Sequence, residues 1–177
     1  MLETNRLLLR HFRPTDWPDV LEYGSQLAVA KGANFTPLKN KKAACSFEKI
    51  LQRDGVFALQ EKDTSKVIGN LGSFQIVRPD GVIESRGFEI GYALNFNFWG
   101  HGLMTEALTA LCEYEKKRGT NFLLARVYAD NEASKNVLVK TGFKLQEERQ
   151  VVDVLAAGQK VSELIYKKTL CQKREGF

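Results

Sequence analysis

The sequence predicts an α+β fold, in which one mixed and mostly antiparallel sheet carries helices on both faces. Strand-like segments in the middle third of the chain are joined by short, turn-forming connections, which make neighbouring strands antiparallel. They are followed by one strand–helix–strand unit, and only this unit can place two strands parallel. The 177 residues contain no repeat and no linker-like stretch, so a single domain is expected over residues 1–177.

The N-terminal third predicts a strand followed by helices. A Leu-rich strand covers residues 6–12. Thr15 or Asp16 can cap a helix that begins near Trp17, because a side-chain oxygen accepts hydrogen bonds from the free N–H groups of a first turn. Apolar residues at helical spacing predict a second helix over residues 41–53.

The rest of the chain supplies most of the strands. Three strands are predicted over residues 56–62, 67–77 and 87–94. An apolar stripe that begins at Leu103 predicts a long helix, which Gly119 ends. The order is completed by a strand over residues 122–128, a helix over 132–141 closed by Gly142, and a hairpin of strands 150–155 and 160–169 around Ala157 and Gly158.

The composition excludes several classes of protein. With 44% hydrophobic and 27% charged residues, the chain is expected to fold and has no apolar run long enough to span a membrane. Charges at Glu3, Arg6 and Arg10 interrupt any signal-peptide pattern. The 3 cysteines contain no close pair, so neither disulfides nor a metal site are expected, and a cytoplasmic location fits.

The net charge of +5 raises the question of an acidic partner. Residues 31–53 hold a local excess of basic residues against Glu48 alone. This basic segment is either a solvated helical face or a contact surface for an acidic partner. Its basic residues are Lys31, Lys39, Lys41, Lys42, Lys49 and Arg53.

A G-x-G pair lies between the end of a predicted strand and the start of a predicted helix. Gly100 and Gly102 let the backbone approach a ligand closely while N–H groups and the positive end of the helix face it, which indicates a phosphate site. A plain tight turn explains the same two residues. A P-loop is excluded because no lysine follows Gly102, and a dinucleotide-binding turn is excluded because Thr105 replaces its third glycine.

A second polar segment follows the other strand of the predicted parallel pair. Asn131 and Ser134 come directly after the strand over residues 122–128, and capping of the next helix is their simplest role. Both polar segments nevertheless lie just beyond the carboxyl ends of the two strands expected to be parallel. Open mixed sheets bind ligands in that crevice.

Three separated strings resemble the GNAT superfamily of acyl-CoA-dependent N-acyltransferases. They are G-F-E-I-G-Y-A-L at residues 87–94, W-G-H-G-L-M-T-E-A-L at 99–108 and N-E-A-S-K-N-V-L-V-K-T-G-F at 131–143. The opening T-N-R-L-L-L-R at residues 4–10 is similar to the branch that contains the ribosomal-protein N-terminal acetyltransferases. The resemblance runs from about Thr4 to Thr169 and implies a three-layer α/β/α, GNAT-like sheet with a splayed parallel pair.

The resemblance implies where acetyl-CoA, the co-substrate, binds. The pyrophosphate falls on Gly100, Gly102 and the residues around them, and the pantetheine arm pairs with the backbone at residues 92–94. An N–H group of Ala93 or Leu94 then holds the thioester oxyanion. The implied binding residues are Tyr92, Ala93, Leu94, Trp99, Gly100, His101, Gly102, Leu103, Met104, Thr105, Asn131 and Ser134.

Four residues in this region depart from the family or have two explanations. Asn97 stands where the wider superfamily has Arg or Gln, so a charged phosphate contact is lost or moved. His101 stands where this branch often has Lys, and it either donates to phosphate or faces solvent. Packing explains Trp99 and Phe98 better than stacking on adenine does.

The resemblance also implies catalytic roles for Glu89 and Ser134. Glu89 matches a position that receives the proton of the attacking amine, although an ion pair with Arg86 or Arg126 is the alternative. Ser134 matches the proposed proton donor to the leaving thiolate, although helix capping alone is the alternative. Cys112 lies on the apolar stripe of a helix and is expected in the core.

We therefore expect an N-acetyltransferase that moves an acetyl group from acetyl-CoA to a primary amine by direct attack in a ternary complex. A protein N-terminal α-amine, such as that of a ribosomal protein, is the expected acceptor, and association with the ribosome is possible. Polyamines, amino sugars or antibiotics are the alternative acceptors, and a CoA-binding, RNA-associated module without turnover is the alternative outside enzymes. No metal, membrane or specific nucleic acid is expected, and the chain is expected to be a monomer or homodimer.

Overall fold

A computed structural model describes residues 1–153 and 158–170 of the chain. Within these residues the strands form one eight-stranded sheet. The strands are β1 (Leu2–Glu3), β2 (Leu7–Arg10), β3 (Val56–Glu61), β4 (Val67–Val77), β5 (Ile83–Leu94), β6 (Phe122–Tyr128), β7 (Lys144–Asp153) and β8 (Gln159–Thr169). The helices are α1 (Trp17–Gly24), α2 (Leu27–Gly32), α3 (Lys41–Leu51), α4 (Leu103–Lys117) and α5 (Glu132–Lys140), with a short 3-10 helix over Phe96–Phe98.

The sheet order confirms the predicted mixed topology. The strands lie in the order β1-β2-β3-β4-β5-β6-β8-β7. β5 and β6 are parallel, and each other pair of neighbours in the described sheet is antiparallel. The parallel pair is the one that the strand–helix–strand unit predicts, because α4 carries the chain from one end of the sheet back to the other.

Each face of the sheet has its own apolar core, so the three-layer arrangement is confirmed. Along β3, Phe57 and Leu59 face α4 and α5, whereas Val56 and Ala58 face the first three helices. Both sets are buried because helices cover both faces. No helix in the described part of the chain is long and apolar enough to cross a lipid bilayer.

The N-terminal region differs from the prediction in three details, the first of which is the short strand β1 (Leu2–Glu3), which the sequence pattern does not predict. Helix α2 was not predicted, because a six-residue helix offers too short a pattern and has no side-chain cap. Asp16 precedes α1, but its carboxylate caps no N–H group of the helix. It instead accepts hydrogen bonds from the guanidinium of buried Arg10, at 2.7 and 2.9 Å, since a buried charge requires a partner.

The C-terminal hairpin begins earlier than predicted. Its first strand starts at Lys144 rather than at residue 150 and pairs with β8 along its length. β7 is the last strand of the sheet, and most of its side chains are exposed on both faces. The alternation that signals a half-buried strand is therefore missing. Leu155 and Ala157 of the predicted hairpin lie outside the described residues.

Candidate active site

The parallel strands separate halfway along their length. Gly87–Ile90 of β5 pair with Phe122–Ala125 of β6, and beyond these four pairs neither strand pairs with the other. β5 continues to Leu94 and β6 to Tyr128. The result is a splay, a gap between β5 and β6 in the middle of the sheet. The backbone groups on its two sides form no hydrogen bonds with a neighbouring strand across the gap.

The register of β5 determines which N–H groups face this splay. The N–H group of Asn95 donates to Ile68 of β4 at 2.7 Å, so odd-numbered residues before it direct their N–H groups toward β4. Even-numbered residues direct their N–H and carbonyl groups toward β6, as the hydrogen bond from Asn121 N–H to the Arg86 carbonyl shows. Leu94 and Ala93 are the two expected oxyanion donors. The N–H group of Leu94 therefore faces the splay, whereas the N–H group of Ala93 faces β4.

Trp99 fixes the end of this strand. Its indole Nε1–H donates to the carbonyl of Leu94 at 2.7 Å, and its ring packs on Phe96 with centroids 5.1 Å apart. Trp99 also lies against the apolar cores. The ring is thus a packing element that secures the chain between the strand and the G-x-G turn, as the sequence favours.

The G-x-G turn presents a row of free backbone donors. Gly100 and Gly102 have φ of 79° and 76°, which other residues adopt only with strain. Within the described chain, the N–H groups of residues 100–105 donate to no protein acceptor, as is usual for the first turn of a helix. A Cβ placed on Gly100 would meet no atom within 4 Å, so the turn is open on that side. This geometry suits a phosphate group.

A cavity of about 310 Å³ connects this turn with the splay. Among its lining residues are all of the predicted binding residues except His101, whose side chain is exposed. The lining also includes Val29 of α2 and Lys140 of α5, neither of which the sequence analysis singled out. Lys140 adds a positive charge to the wall of a cavity suited to an anionic ligand.

A second cavity of about 260 Å³ lies next to the first. It is lined by Glu89, Arg126, Tyr128 and Glu163, with Asn34 on the side of α2. The two cavities have four lining residues in common, and a ligand in one would meet a ligand in the other there. The shared residues are Gly32, Ala33, Tyr92 and Ser134.

Glu89 lies in the second cavity as one member of an ion pair. Its Oε2 accepts a hydrogen bond from Arg126 Nη2. Of the two partners expected from the sequence, the structure selects Arg126 and not Arg86. The carboxylate is only partly exposed, and the ion pair fixes its position.

Ser134 lies at the junction of the cavities, but it is not the residue that caps α5. Asn131 is the cap, since its Oδ1 accepts from the Ser134 N–H at 3.1 Å. The hydroxyl of Tyr92 donates to the Ser134 carbonyl at 3.3 Å. Burial raises the pKa of Tyr92 to about 12. Tyr92 therefore stays protonated and holds the backbone of Ser134 in place.

A strap formed by residues 31–33, at the end of α2, crosses the open end of the splay, and no pattern in the sequence predicts it. Asn131 Nδ2 donates to the Gly32 carbonyl at 3.1 Å, and Lys31 Nζ pairs with Asp130 Oδ2 at 2.9 Å. These contacts join residues about a hundred positions apart. They place Gly32 and Ala33 over the junction of the two cavities.

Several carboxylates lie around Tyr128 in the second cavity. Burial comes first among the causes that raise the pKa of Tyr128, and the charges of Asp153, Glu163 and Asp130 add to it. Tyr128 thus remains a neutral hydrogen-bond donor at neutral pH. Basic residues pair with three of the carboxylates around this cavity: Arg126 with Glu89, Arg149 with Glu163 and Lys31 with Asp130.

Comparison with known proteins identifies the family. A family model described as an acetyltransferase (GNAT) domain matches residues 6–144. The uncharacterized N-acetyltransferase p20 of Bacillus licheniformis is 29% identical over 150 residues, which cover 81% of this chain and 82% of that protein.

Solved structures share the fold at lower identity. An acetyltransferase (GNAT family) from Bacillus anthracis has a TM-score of 0.82 at 20% identity, covering 96% of this chain and 98% of that one. The microcin C7 self-immunity acetyltransferase MccE, solved with acetyl-CoA and AMP, has a TM-score of 0.77 at 21% identity, covering 94% and 93%. An acetyl transferase from Salmonella typhimurium that modifies the N-terminal serine of ribosomal protein L7/L12 has a TM-score of 0.75 at 20% identity, covering 94% and 96%.

The family model covers most of the chain, and the fold of the solved structures agrees with it over nearly the whole length. GNAT enzymes take their acyl group from acetyl-CoA, and the free donors of the G-x-G turn together with the splay suit the diphosphate and pantetheine of that co-substrate. The chain therefore belongs to the GNAT acetyltransferase family and is an acetyl-CoA-dependent acyltransferase.

Proposed function

We propose that this enzyme acetylates a protein N-terminal α-amine, which enters through the second cavity while acetyl-CoA lies in the first. The observation that carries the proposal is the meeting of the two cavities at Tyr92 and Ser134, beneath the strap. Donor and acceptor can then be bound at the same time, as direct attack in a ternary complex requires.

In this proposal the co-substrate is held mainly by backbone groups. The N–H groups of residues 100–105 surround the diphosphate. The pantetheine arm runs along β5 in the splay, where the backbone groups of Tyr92 and Leu94 face it. The N–H group of Leu94 lies on the side of the thioester and stabilises the oxyanion as the tetrahedral intermediate forms. Lys140 contributes charge from the wall of the cavity.

The chemical step requires a base on one side of the splay and an acid on the other. The amine nitrogen attacks the thioester carbon, the C–N bond forms and the C–S bond breaks. Glu89, in the acceptor cavity, receives the proton that the amine loses, directly or through water. Ser134 gives a proton to the leaving thiolate and regains one from solvent. The products are the acetylated amine and CoA with a free thiol.

Two features favour an α-amine over a lysine side chain. An α-amine has a pKa of about 8, against about 10.4 for lysine, so a larger fraction is neutral and nucleophilic at pH 7. The base available for the amine proton is the Glu89 carboxylate, and carboxylates are weak bases. A weak base suits an amine that loses its proton easily. The proposal places the enzyme in the cytoplasm, as a monomer or homodimer, with access to ribosomal proteins.

A thiol-release assay with acetyl-CoA tests the acceptor. The acceptors are peptides that begin with Ala or Ser, the same peptides with a blocked N-terminus and one lysine, a polyamine and an aminoglycoside. We expect turnover with the free N-termini and little with the blocked peptides. Preferred turnover of the polyamine or aminoglycoside would replace the proposed acceptor by a small molecule. CoA binding without turnover on any acceptor would favour the non-catalytic module.

A further inference from the structure

One arginine far from the turn in sequence holds the G-x-G turn from behind. Arg6 lies directly before β2, and its Nη1 donates to the carbonyl of His101 at 2.9 Å. Its Nε donates to Glu106 Oε2 at 2.8 Å, and its backbone N–H donates to Glu106 Oε1 at 2.9 Å. Arg6 is not among the residues that line either cavity. It therefore bridges the turn and the first turn of α4 from the outer side.

This contact fixes the direction of one donor of the turn. The peptide bond between His101 and Gly102 is trans, so its carbonyl and its N–H group point in opposite directions. Arg6 binds the carbonyl on the outer side. The N–H group of Gly102 must then point away from Arg6, toward the side on which Gly100, Gly102 and Leu103 line the first cavity.

Without this contact the peptide has little to hold it. Rotation of a peptide plane changes ψ of the residue before it and φ of the residue after it, and glycine tolerates both signs of φ. The residue after this peptide is Gly102, with φ of 76° and no side-chain cap on α4. A flipped peptide would direct the carbonyl of His101 at the bound anion and remove one donor.

Arg6 also neutralises a carboxylate near the anion site. Glu106 lies in the first turn of α4, with its side chain 20% exposed. Burial alone would raise its pKa, but hydrogen bonds from Thr4 and Arg6 and the charge of Arg6 more than offset burial and lower the pKa of Glu106. Glu106 is therefore ionised at neutral pH, and its charge would repel a diphosphate if Arg6 were absent.

We propose that Arg6 is a positioning residue for the diphosphate of CoA: without touching it, Arg6 orients the Gly102 N–H group and compensates the charge of Glu106. This inference rests on the proposed location of the diphosphate at residues 100–105. Lysine cannot replace arginine here, because a single ammonium does not provide the planar fork that reaches His101 and Glu106 together.

The test compares two ligands that differ in the diphosphate. Affinities of Arg6→Lys and Arg6→Gln are measured for acetyl-CoA and for S-acetylpantetheine, which lacks the diphosphate and nucleotide. We expect the Kd for acetyl-CoA to rise about tenfold or more, the effect of one charge-assisted hydrogen bond, while the Kd for S-acetylpantetheine changes less than about twofold. Equal loss for both ligands would show that Arg6 only supports the fold and would overturn the inference, as would no loss for either.

A matched control and a double variant complete the test. Lys62 lies at the same edge of the sheet and makes the same kinds of contact, to the carboxylate of Glu3 at 2.7 Å and to the carbonyl of Thr4 at 2.6 Å, but not to the turn. Lys62→Gln should leave both affinities unchanged. If Arg6 orients the peptide between His101 and Gly102, the double variant with Arg6→Gln and Glu106→Gln still binds acetyl-CoA weakly. Full recovery in the double variant would overturn the positioning role and leave charge compensation alone.

Failure of the site and failure of this inference are distinguishable. Gly100→Ala places a methyl group on the open side of the turn without contact to Arg6. If Gly100→Ala weakens acetyl-CoA and Arg6→Gln does not, Arg6 has no positioning role. If neither variant weakens acetyl-CoA, the diphosphate does not bind at residues 100–105, and the proposed site is wrong together with the inference.

Discussion

At the scale of single residues, the site separates binding from chemistry. The donors of the G-x-G turn and of β5 are backbone groups, so few side chains touch the co-substrate in the proposed binding mode. In the proposed mechanism Glu89 and Ser134 carry the proton transfers, and each is held by a different partner. Arg126 holds Glu89, and Asn131 with Tyr92 holds the backbone of Ser134.

Glu89→Gln should lower kcat most at neutral pH. Glutamine keeps the shape of the side chain but cannot take the amine proton, and at high pH solvent deprotonates the amine instead. We therefore expect partial recovery of kcat as pH rises from 6 to 9.5, measured with an N-terminal peptide. Arg126→Gln is measured alongside it, because this variant removes the cation that pairs with the Glu89 carboxylate. A Glu89→Gln enzyme with an unchanged kcat at every pH would exclude Glu89 as the base.

Ser134→Ala should lower kcat without a large loss of stability. Since Asn131 caps α5, the free energy of unfolding should change by no more than about 0.5 kcal/mol. The loss of kcat should grow with pH, because spontaneous protonation of a thiolate with a pKa of about 8.5 becomes less favourable. Asn131→Ala is the comparison and should cost about 1 kcal/mol of stability by removing the cap. A fully active Ser134→Ala enzyme would exclude Ser134 from the mechanism.

At the scale of elements, the geometry of turns and helix ends determines what each segment can do. Gly100 and Gly81 have nearly the same φ, 79° and 81°, and a Cβ on either would meet no atom within 4 Å. One lies on the cavity and the other in the loop between β4 and β5. Strain from an added side chain is therefore the same at both positions, and only the ligand distinguishes them.

Gly100→Ala should weaken acetyl-CoA binding, and Gly81→Ala should not. Both substitutions should lower the melting temperature slightly, because alanine at positive φ costs about 1 kcal/mol. Only Gly100→Ala places its methyl group where the diphosphate would lie. Isothermal titration with acetyl-CoA measures the difference. Equal affinities of the two folded variants would contradict the assignment of the turn.

Glu48→Gln should stabilise the protein at neutral pH. Burial is the largest cause that raises the pKa of Glu48 above its usual 4.5, and the charge of Asp16 adds to it. The folded state thus binds the proton more tightly than the unfolded state, so the contribution of Glu48 to stability improves as pH falls through the folded pKa. Glu48 also lies in the last turn of α3, where the helix dipole disfavours a negative charge.

Chemical unfolding between pH 4 and 8 measures this effect. Glu48→Gln should unfold at a higher denaturant concentration than the wild type at pH 7, and the difference should disappear below about pH 4.5. Exposed Glu113 on α4 is the control, since Glu113→Gln should change little at any pH. A Glu48→Gln protein that is less stable at pH 7 would contradict the predicted sign.

At the scale of the whole molecule, charge is distributed unevenly around the cleft. The second cavity carries Glu89 and Glu163, each paired with an arginine, whereas the basic segment of residues 31–53 lies on the side of α2 and α3. Lys31 of this segment pairs with Asp130, and Lys41 lies over the ring of Trp17. Other lysines of the segment are exposed, so the segment keeps the charge needed to attract an acidic protein.

An acidic protein acceptor should lose affinity as salt rises. Its KM should increase between 50 and 300 mM NaCl, because exposed charges are screened beyond about 10 Å at 0.1 M, whereas the KM of a short neutral peptide stays constant. Replacing exposed Lys42 and Lys49 by Gln should abolish the salt dependence. The same change at exposed Lys144 and Lys160, on β7 and β8, should not. Equal salt dependence for both acceptors would make the segment an ordinary solvated face.

Much of the fold follows from local patterns, and much of the site does not. The period of β3 to β5 and the short connections between them predict the antiparallel part of the sheet. The position of α4 between two apolar strands predicts the parallel pair. The start of β7 is not predicted, because an exposed edge strand has no alternating apolar pattern. Helix α2 is not predicted, because six residues are too few to show a helical pattern. Motif spacing indicates Gly100 and Gly102, but no local pattern links Arg6 to His101 or Gly32 to Asn131 across about a hundred residues.

The splay has a mechanical consequence for the sheet. Four residue pairs join β5 to β6, and these pairs are the seam between one half-sheet of β1 to β5 and another of β6 to β8. A pantetheine arm lying in the splay would lengthen this seam, so the donor would act as a structural part of the sheet as well as a source of acetyl groups. The two halves would then be stiffest relative to each other while the donor is bound and loosest after CoA leaves. Amide exchange should slow most at Tyr92 and Leu94 when CoA is added, far more than at the outer strands.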